Sequence, residues 1–208
     1  MYFCAMLFED NYYTIAEPCE GLYKDKGSKF IGYAFGVKNE EDVKRHLAML
    51  KKEHHSARHH CYAYRLGADK QTYRANDDGE PSSTAGKPIL GQIQSKDLTD
   101  VLVVVVRYFG GTLLGVSGLI SAYKQAAADT LGNARIVEKF VSEQYCVGFE
   151  YLLMNDVMKV IKDEELKIVS QEYATDCLLT FEVRRSHAQR AVEMFKKMHG
   201  VSITELIK

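Results

Sequence analysis

The run Val103-Val104-Val105-Val106, preceded by Val101 and Leu102, constrains this chain more than any other feature. An apolar run of that length, without alternation, predicts a strand buried on both faces. Such a strand needs a layer above and a layer below, so it marks the centre of a domain. The chain then changes character. Arg107, Tyr108 and Phe109 leave the strand, and glycines stand at Gly110, Gly111, Gly115 and Gly118. Glycine lets backbone N–H groups approach a ligand closely. Ser117 is placed to cap a helix starting near Leu119, and Gly132 to end it. Strand, glycine loop and helix N-terminus together predict an anion seat.

Around that strand the first half alternates strands and helices. Residues 12–17 and 28–37 are rich in aromatic and β-branched side chains and predict strands. Asn39 followed by Glu40, Glu41 and Asp42 predicts a capped helix start, with Val43, Leu47 and Leu50 on its inner face. Residues 60–66 and 71–75 predict a hairpin, and 77–81 a turn. Ser83 or Thr84 would open a further helix, with Pro88 in its first turn and Ile89 and Ile93 inward.

The second half begins near Lys139 to Ser142. Tyr145, Val147, Phe149 and Tyr151 alternate as a half-buried strand does. Asn155 would cap a helix through Asp163, and Leu166 and Ile168 mark the next strand. Cys177, Leu179, Phe181 and Val183 alternate again. Ser186 would cap a helix carrying Ala188, Ala191, Val192 and Phe195, and 202–207 is strand-like. The order β-α-β-β-α-β is the ferredoxin-like split unit. The expected class is therefore α+β with two domains, 1–140 and 141–208.

Charge narrows the function. Lys and Arg number 27 against 28 Asp and Glu, a net charge of −1. That excludes coating nucleic acid by bulk charge and leaves a local basic patch open. The five cysteines, Cys4, Cys19, Cys61, Cys146 and Cys177, form no Cys-x-x-Cys pair. An odd, unpaired set predicts a reduced, cytoplasmic protein. The apolar start reaches Glu9 and Asp10 with no basic leader, so neither a signal peptide nor a membrane span is expected. Met6 is an alternative start.

Three segments resemble the YigZ/IMPACT family. They are Ala57-Arg58-His59-His60-Cys61-Tyr62-Ala63-Tyr64, then Asp77-Asp78-Gly79-Glu80-Pro81 with Thr84-Ala85-Gly86-Lys87-Pro88-Ile89-Leu90, then Val105-Val106-Arg107-Tyr108-Phe109-Gly110-Gly111-Thr112-Leu113-Leu114-Gly115. The resemblance implies that the first domain is like the second domain of ribosomal protein S-five, with a left-handed β-α-β unit. It also implies that the ferredoxin-like tail is similar to a domain of elongation factor G. Eukaryotic members modulate translation by competing for the activator of the kinase that phosphorylates initiation factor two. No RWD domain of the kind those members carry is read in this sequence. The expected carry-over is thus an association with translation, not that partner.

The candidate site admits more than one reading. In the first, Arg107 and the amides of the 110–118 loop hold a phosphate while an aromatic side chain stacks on a base. In the second, Arg107 pairs with an acid such as Asp78, and Tyr108 and Phe109 pack the sheet edge. No Gly-Lys-Ser/Thr follows the glycines, so the loop is not a Walker loop. Lys51, Lys52, Arg58, His59 and Arg65, interleaved with Tyr62 and Tyr64, suggest a basic, aromatic stripe. His54, His55, His59, His60 and Cys61 are dense, yet adjacent histidines on a strand point to opposite faces, and no metal is expected. Cys61 reads as buried and inert. Asp77, Asp78 and Glu80 read as turn acids more than as a general acid and base.

No catalytic set emerges, and no cofactor is expected. The anion- or nucleic-acid-binding candidates are Arg58, His59, His60, Tyr62, Arg65, Lys87, Arg107, Tyr108, Phe109, Gly110, Gly111, Gly115, Ser117, Gly118 and Lys124. They suit a non-catalytic, translation-associated protein that binds RNA, the ribosome or a translation-linked protein, with no membrane role. The alternative is a kinase-like enzyme taking a phosphorylated small molecule or nucleotide at the glycine loop, with Asp77 or Asp78 holding magnesium. The oligomeric state stays open; an exposed sheet face in the tail would permit a dimer.

Overall fold

The computed structural model describes residues 10–173 and 176–206; Cys4, Met6, Glu9 and Ile207 lie outside the described residues. The chain forms two compact units. One is 12–139, and the other joins 140–206 to residues 10 and 11.

The first part of the chain runs β1 (Asn11–Ile15), β2 (Cys19–Asp25), β3 (Ser28–Gly36), α1 (Glu40–Glu53), β4 (His59–Leu66), β5 (Thr72–Asn76), α2 (Gly86–Ser95), β6 (Val101–Tyr108), α3 (Gly115–Gly132) and β7 (Ile136–Phe140). Five strands form one sheet in the order β2-β3-β6-β4-β5, and β1 pairs with β7 separately. All neighbours in the five-stranded sheet are antiparallel. Because β3 and β4 both run against β6, they are parallel to each other, and α1 carries the crossover between them.

The valine strand sits at the centre of the sheet, and Val101 through Val106 are fully buried. Pleating divides them. Val101, Val103 and Val105 join a core with Ile89, Ile93, Leu119, Ala122 and Tyr123 from α2 and α3. Leu102, Val104 and Val106 join a second core with Val43 and Leu50 from α1. The unit is thus three layers: α1, sheet, then α2 with α3. That is the sandwich a strand apolar on both faces requires.

Local capping holds at one helix. The Asn39 side chain accepts from the Asp42 N–H at 2.9 Å and starts α1. The other expected caps do not act as such. Ser83 and Thr84 do not cap α2; Asp77 reaches back from the preceding turn and accepts from Ala85 at 2.9 Å, Gly86 at 2.8 Å and Ser83 at 2.8 Å. Burial of the Asp77 carboxylate opposes ionisation, but those backbone donors outweigh it, and the group sits below its ordinary pKa. Helix α3 begins at Gly115, not near Leu119, so Ser117 lies inside its first turn.

The second part runs β8 (Ser142–Glu150), a 3-10 turn (Tyr151–Leu153), α4 (Met154–Asp163), β9 (Lys167–Glu172), β10 (Asp176–Arg184), α5 (Arg185–Lys196) and β11 (Val201–Leu206). Strand order β11-β8-β10-β9, antiparallel throughout, is the ferredoxin-like arrangement that the pattern predicts. Val147, Phe149, Cys177, Leu179, Phe181 and Val183 are all buried against Val157, Ile161, Ala188, Ala191 and Phe195. Tyr151 leaves the alternation and is exposed in the 3-10 turn. Asn155 and Ser186 lie within α4 and α5 and do not cap them. The start of α5 is instead held by Asp10, which accepts from the Ser186 N–H at 3.0 Å. The Arg184 guanidinium also clasps Asp10, through Nε at 2.7 Å and Nη2 at 2.5 Å. That charged partner, working against burial, holds the Asp10 carboxyl well below the usual carboxylate range.

Candidate functional site

Alternation along β6 decides which side chains meet. Arg107 continues the odd series toward α2 and α3, whereas Tyr108 continues the even series toward α1. The two therefore cannot serve one ligand, although they are adjacent in sequence. Tyr108 instead meets His54 Nδ1 at 2.9 Å, and Tyr33 meets His54 Nε2 at 2.8 Å. This group borders a shallow cleft that Lys29 and Ile31 also line.

Arg107 is 7% exposed and lies under a cleft of about 440 Å³. Its Nη1 donates to Glu80 Oε1 at 2.6 Å. The acid partner is thus Glu80 rather than Asp78. The Glu80 side chain is 4% exposed, so the pair is buried. Tyr123 from α3 donates to the same Glu80 oxygen at 2.8 Å, and the Cys61 thiol reaches the Tyr123 hydroxyl at 3.3 Å and the Asp77 carbonyl at 3.0 Å. Burial pushes the thiol of Cys61 and the hydroxyl of Tyr123 far up, so both stay protonated. The buried chain Arg107, Glu80, Tyr123, Cys61 ties strand, turn and helix together. Arg107 Nε has no hydrogen-bond partner.

The cleft above this chain is walled by Pro81, Phe109, Leu113, Leu114, Val116 and Leu119, with Arg58 and His59 also lining it. Phe30 and Phe109 flank the guanidinium, their ring centres 5.5 and 5.7 Å from Cζ. Phe30 is core, but Phe109 is 56% exposed and Leu113 is 83% exposed. The loop backbone is fixed at one point: the Gly110 N–H donates to Ser28 Oγ at 3.1 Å, and a Cβ at Gly110 would overlap the Gly27 backbone. Gly111, at φ +88°, has open space around it.

The remaining candidates scatter. His59 donates through Nδ1 to the Asp78 carbonyl at 2.9 Å on the cleft side, while His60 is buried toward α1, its N–H held by Asp78 Oδ2 at 2.7 Å. Burial lowers the pKa of His60. Tyr62 packs on the α1 side, its ring stacked on Tyr64. Arg65 stands at the far end of β4 and reaches the Leu98 carbonyl and Asp97. The expected basic stripe from Arg58 to Arg65 therefore does not form one surface; the two-residue period splits it between faces and between strand ends. Lys87 and Lys124 are exposed on α2 and α3, Ser117 is exposed on α3, and none of the three lines the cleft. Gly115 lines it, and Gly118 packs on Leu114 one turn into the helix. Asp77 and Asp78 are committed to backbone donors, and Asp78 also lies 3.5 Å from Lys51. No three His, Cys, Asp or Glu side chains converge as a metal site among the described residues. Glu80, read from the sequence as a turn acid, is the buried partner of Arg107, and the apolar liners Pro81, Leu113, Leu114, Val116 and Leu119 are the site residues that the candidate set lacks.

No helix among the described residues is long and apolar enough to cross a membrane. Residues 26–131 match the family model of the Impact N-terminal domain. The chain is 34% identical to the Escherichia coli IMPACT family member YigZ over 79% of its length and 81% of that protein. It is 32% identical to the Bacillus subtilis IMPACT family member YvyE, over 79% of this chain and 76% of that one. A crystal structure of a hypothetical protein aligns over 96% of this chain and 98% of its own, with a TM-score of 0.73 at 28% identity.

Proposed function

Because this chain belongs to the IMPACT family, we propose that it is a non-catalytic, translation-associated protein that binds RNA, the ribosome or a translation-linked protein. The contact surface is the 109–118 loop with Arg58. One observation carries this reading: Phe109 stands in solvent over a buried guanidinium, beside the exposed Arg58 and the exposed Leu113 and Val116. An aromatic face with a neighbouring cation suits bases and peptide segments alike. Arg107 acts here as the fixed base under Phe109, with Glu80 holding its Nη1.

The enzyme alternative draws on the cleft, whose volume suits a small molecule. Phosphoryl transfer needs an acid free to hold magnesium. Asp77 is engaged by three backbone donors and Asp78 by His60, which favours the binding reading.

The test is sedimentation of the purified protein with purified ribosomes at low and high salt, for wild type and for Phe109→Ala with Arg58→Glu. Retention that fades steeply with salt and is lost in the variant supports a phosphate-dominated contact through this surface. Retention that resists salt but is lost in the variant supports a protein contact there. Unchanged retention of the folded variant removes the surface assignment. No retention at low salt removes the ribosome.

A further inference from the structure

Two arginine pairs of this protein, Arg184–Asp10 and Arg107–Glu80, differ in a way that bears on the cleft. Arg184 clasps Asp10 with Nε and Nη2, the planar two-donor edge of a guanidinium. Arg107 gives Glu80 only Nη1, and its Nε is buried with no partner. An unsatisfied donor on a charged group is costly to bury, so a group that spends it on nothing needs an explanation. The Arg107 side chain is more than nine-tenths buried and lines the floor of the cleft.

We propose that the cleft binds a small monocarboxylate with an apolar body, its carboxylate bridging the Nε–Nη2 edge of Arg107 and its body lying against Leu113, Leu114, Val116 and Leu119. Charge selects the monoanion. Arg58 and Arg107 set against Glu80 leave one net positive charge around the cleft, which a carboxylate balances and a phosphate dianion exceeds. Shape selects a planar acid, because the guanidinium fork matches a carboxylate in its own plane. The walls select an apolar body over a ribose-phosphate chain. Access lies past Phe109. Phe109 is 56% exposed, with its ring centre 5.7 Å from Arg107 Cζ, and in this proposal its side chain turns aside to admit the acid. This site goes beyond the partner-binding reading and does not rest on it.

The experiment uses the isolated full chain, without ribosomes or RNA. Phenylacetate is titrated by calorimetry and by thermal shift, beside its neutral counterpart phenylacetamide, inorganic phosphate and a short single-stranded RNA. A ligand that binds only the folded state raises the melting temperature in a saturable way. Saturable phenylacetate binding with a Kd of about 1 mM or tighter is expected, with phenylacetamide and phosphate at least about tenfold weaker. Arg107→Lys, which keeps the charge but loses the fork, is expected to weaken phenylacetate by about tenfold or more. Should Arg107→Lys fail to fold, Val116→Glu, on the exposed rim, is expected to weaken it instead by charge repulsion. Equal binding of acid and amide, preference for phosphate or RNA, indifference to both variants, or no saturable phenylacetate binding overturns the proposal. None of these outcomes bears on ribosome retention, which stands or falls separately.

Discussion

Asp77 holds the start of α2 from outside the helix, and its replacement gives the sharpest test of how this unit is assembled. The carboxylate takes three N–H groups, of Ser83, Ala85 and Gly86. Ala85 and Gly86 are buried, so water does not replace the lost acceptor there. Asp77→Ala leaves two buried donors orphaned, at about 1–3 kcal/mol each before relaxation, and removes a cap worth about 1 kcal/mol. We expect a net loss of about 3 kcal/mol, or a Tm lowered by about 10 °C for a unit of this size. Asp77→Asn keeps one acceptor oxygen. Placed where Oδ1 now sits, it retains the Ala85 and Gly86 bonds and loses that of Ser83, for about 1 kcal/mol. Thermal and urea unfolding followed by circular dichroism measure both. The pH dependence follows from the lowered pKa of Asp77. Its folded value lies below the unfolded one, so the stabilisation is fully present above the unfolded pKa near 3.8 and is lost as pH falls through the folded value. The gap between wild type and Asp77→Asn should therefore be flat from neutral pH down to mildly acidic conditions and narrow only below that point. An alanine variant within about 0.5 kcal/mol of wild type, or an asparagine variant as weak as alanine, would refute the capping argument.

Two further outcomes are expected. Glu80→Gln leaves the Arg107 charge buried without its counter-ion and should lower stability by about 3 kcal/mol, read as a shifted urea midpoint, whereas Glu80→Leu with Arg107→Met should lose less than that single change. Gly110→Ala forces a Cβ into the Gly27 backbone, while Gly111→Ala meets open space and carries only left-handed strain; the first should depress Tm clearly more than the second, whose loss is about 1 kcal/mol.

Much of this fold is legible in the sequence where the signal is periodic. The valine run gives the central strand, and the alternation of Cys177, Leu179, Phe181 and Val183 gives the buried face of β10. Asn39 is legible because its bond spans three residues. The starts of α2 and α5 are not, because Asp77 and Asp10 hold them from six to nine and from 176 residues away. Ser83, Thr84 and Ser186 look like caps only to a short window. Strand β2 escapes for another reason: it is an edge strand whose residues are mostly exposed or half-buried, so it lacks a clear apolar period. At the site, the sequence brings Arg107, Tyr108 and Phe109 side by side, and the pleat then separates the first two. The sequence reading of Arg107 paired with an acid such as Asp78 has the right chemistry, but the partner is Glu80, two residues on, because turn geometry decides which carboxylate turns inward. Gly79, at φ +87°, lies between them.

The clasp of Asp10 by Arg184 has a consequence for the order in which the molecule comes into being. During synthesis residue 10 emerges long before residue 184, and all of 12–139 has left the ribosome before β10 exists. The Asp10 carboxylate spends that interval waiting for a partner made near the end of translation. A fragment starting at 141 would lack this acid and leave the Ser186 N–H at the head of α5 without it. The head of α5 is thus completed by a carboxylate made long before the helix itself.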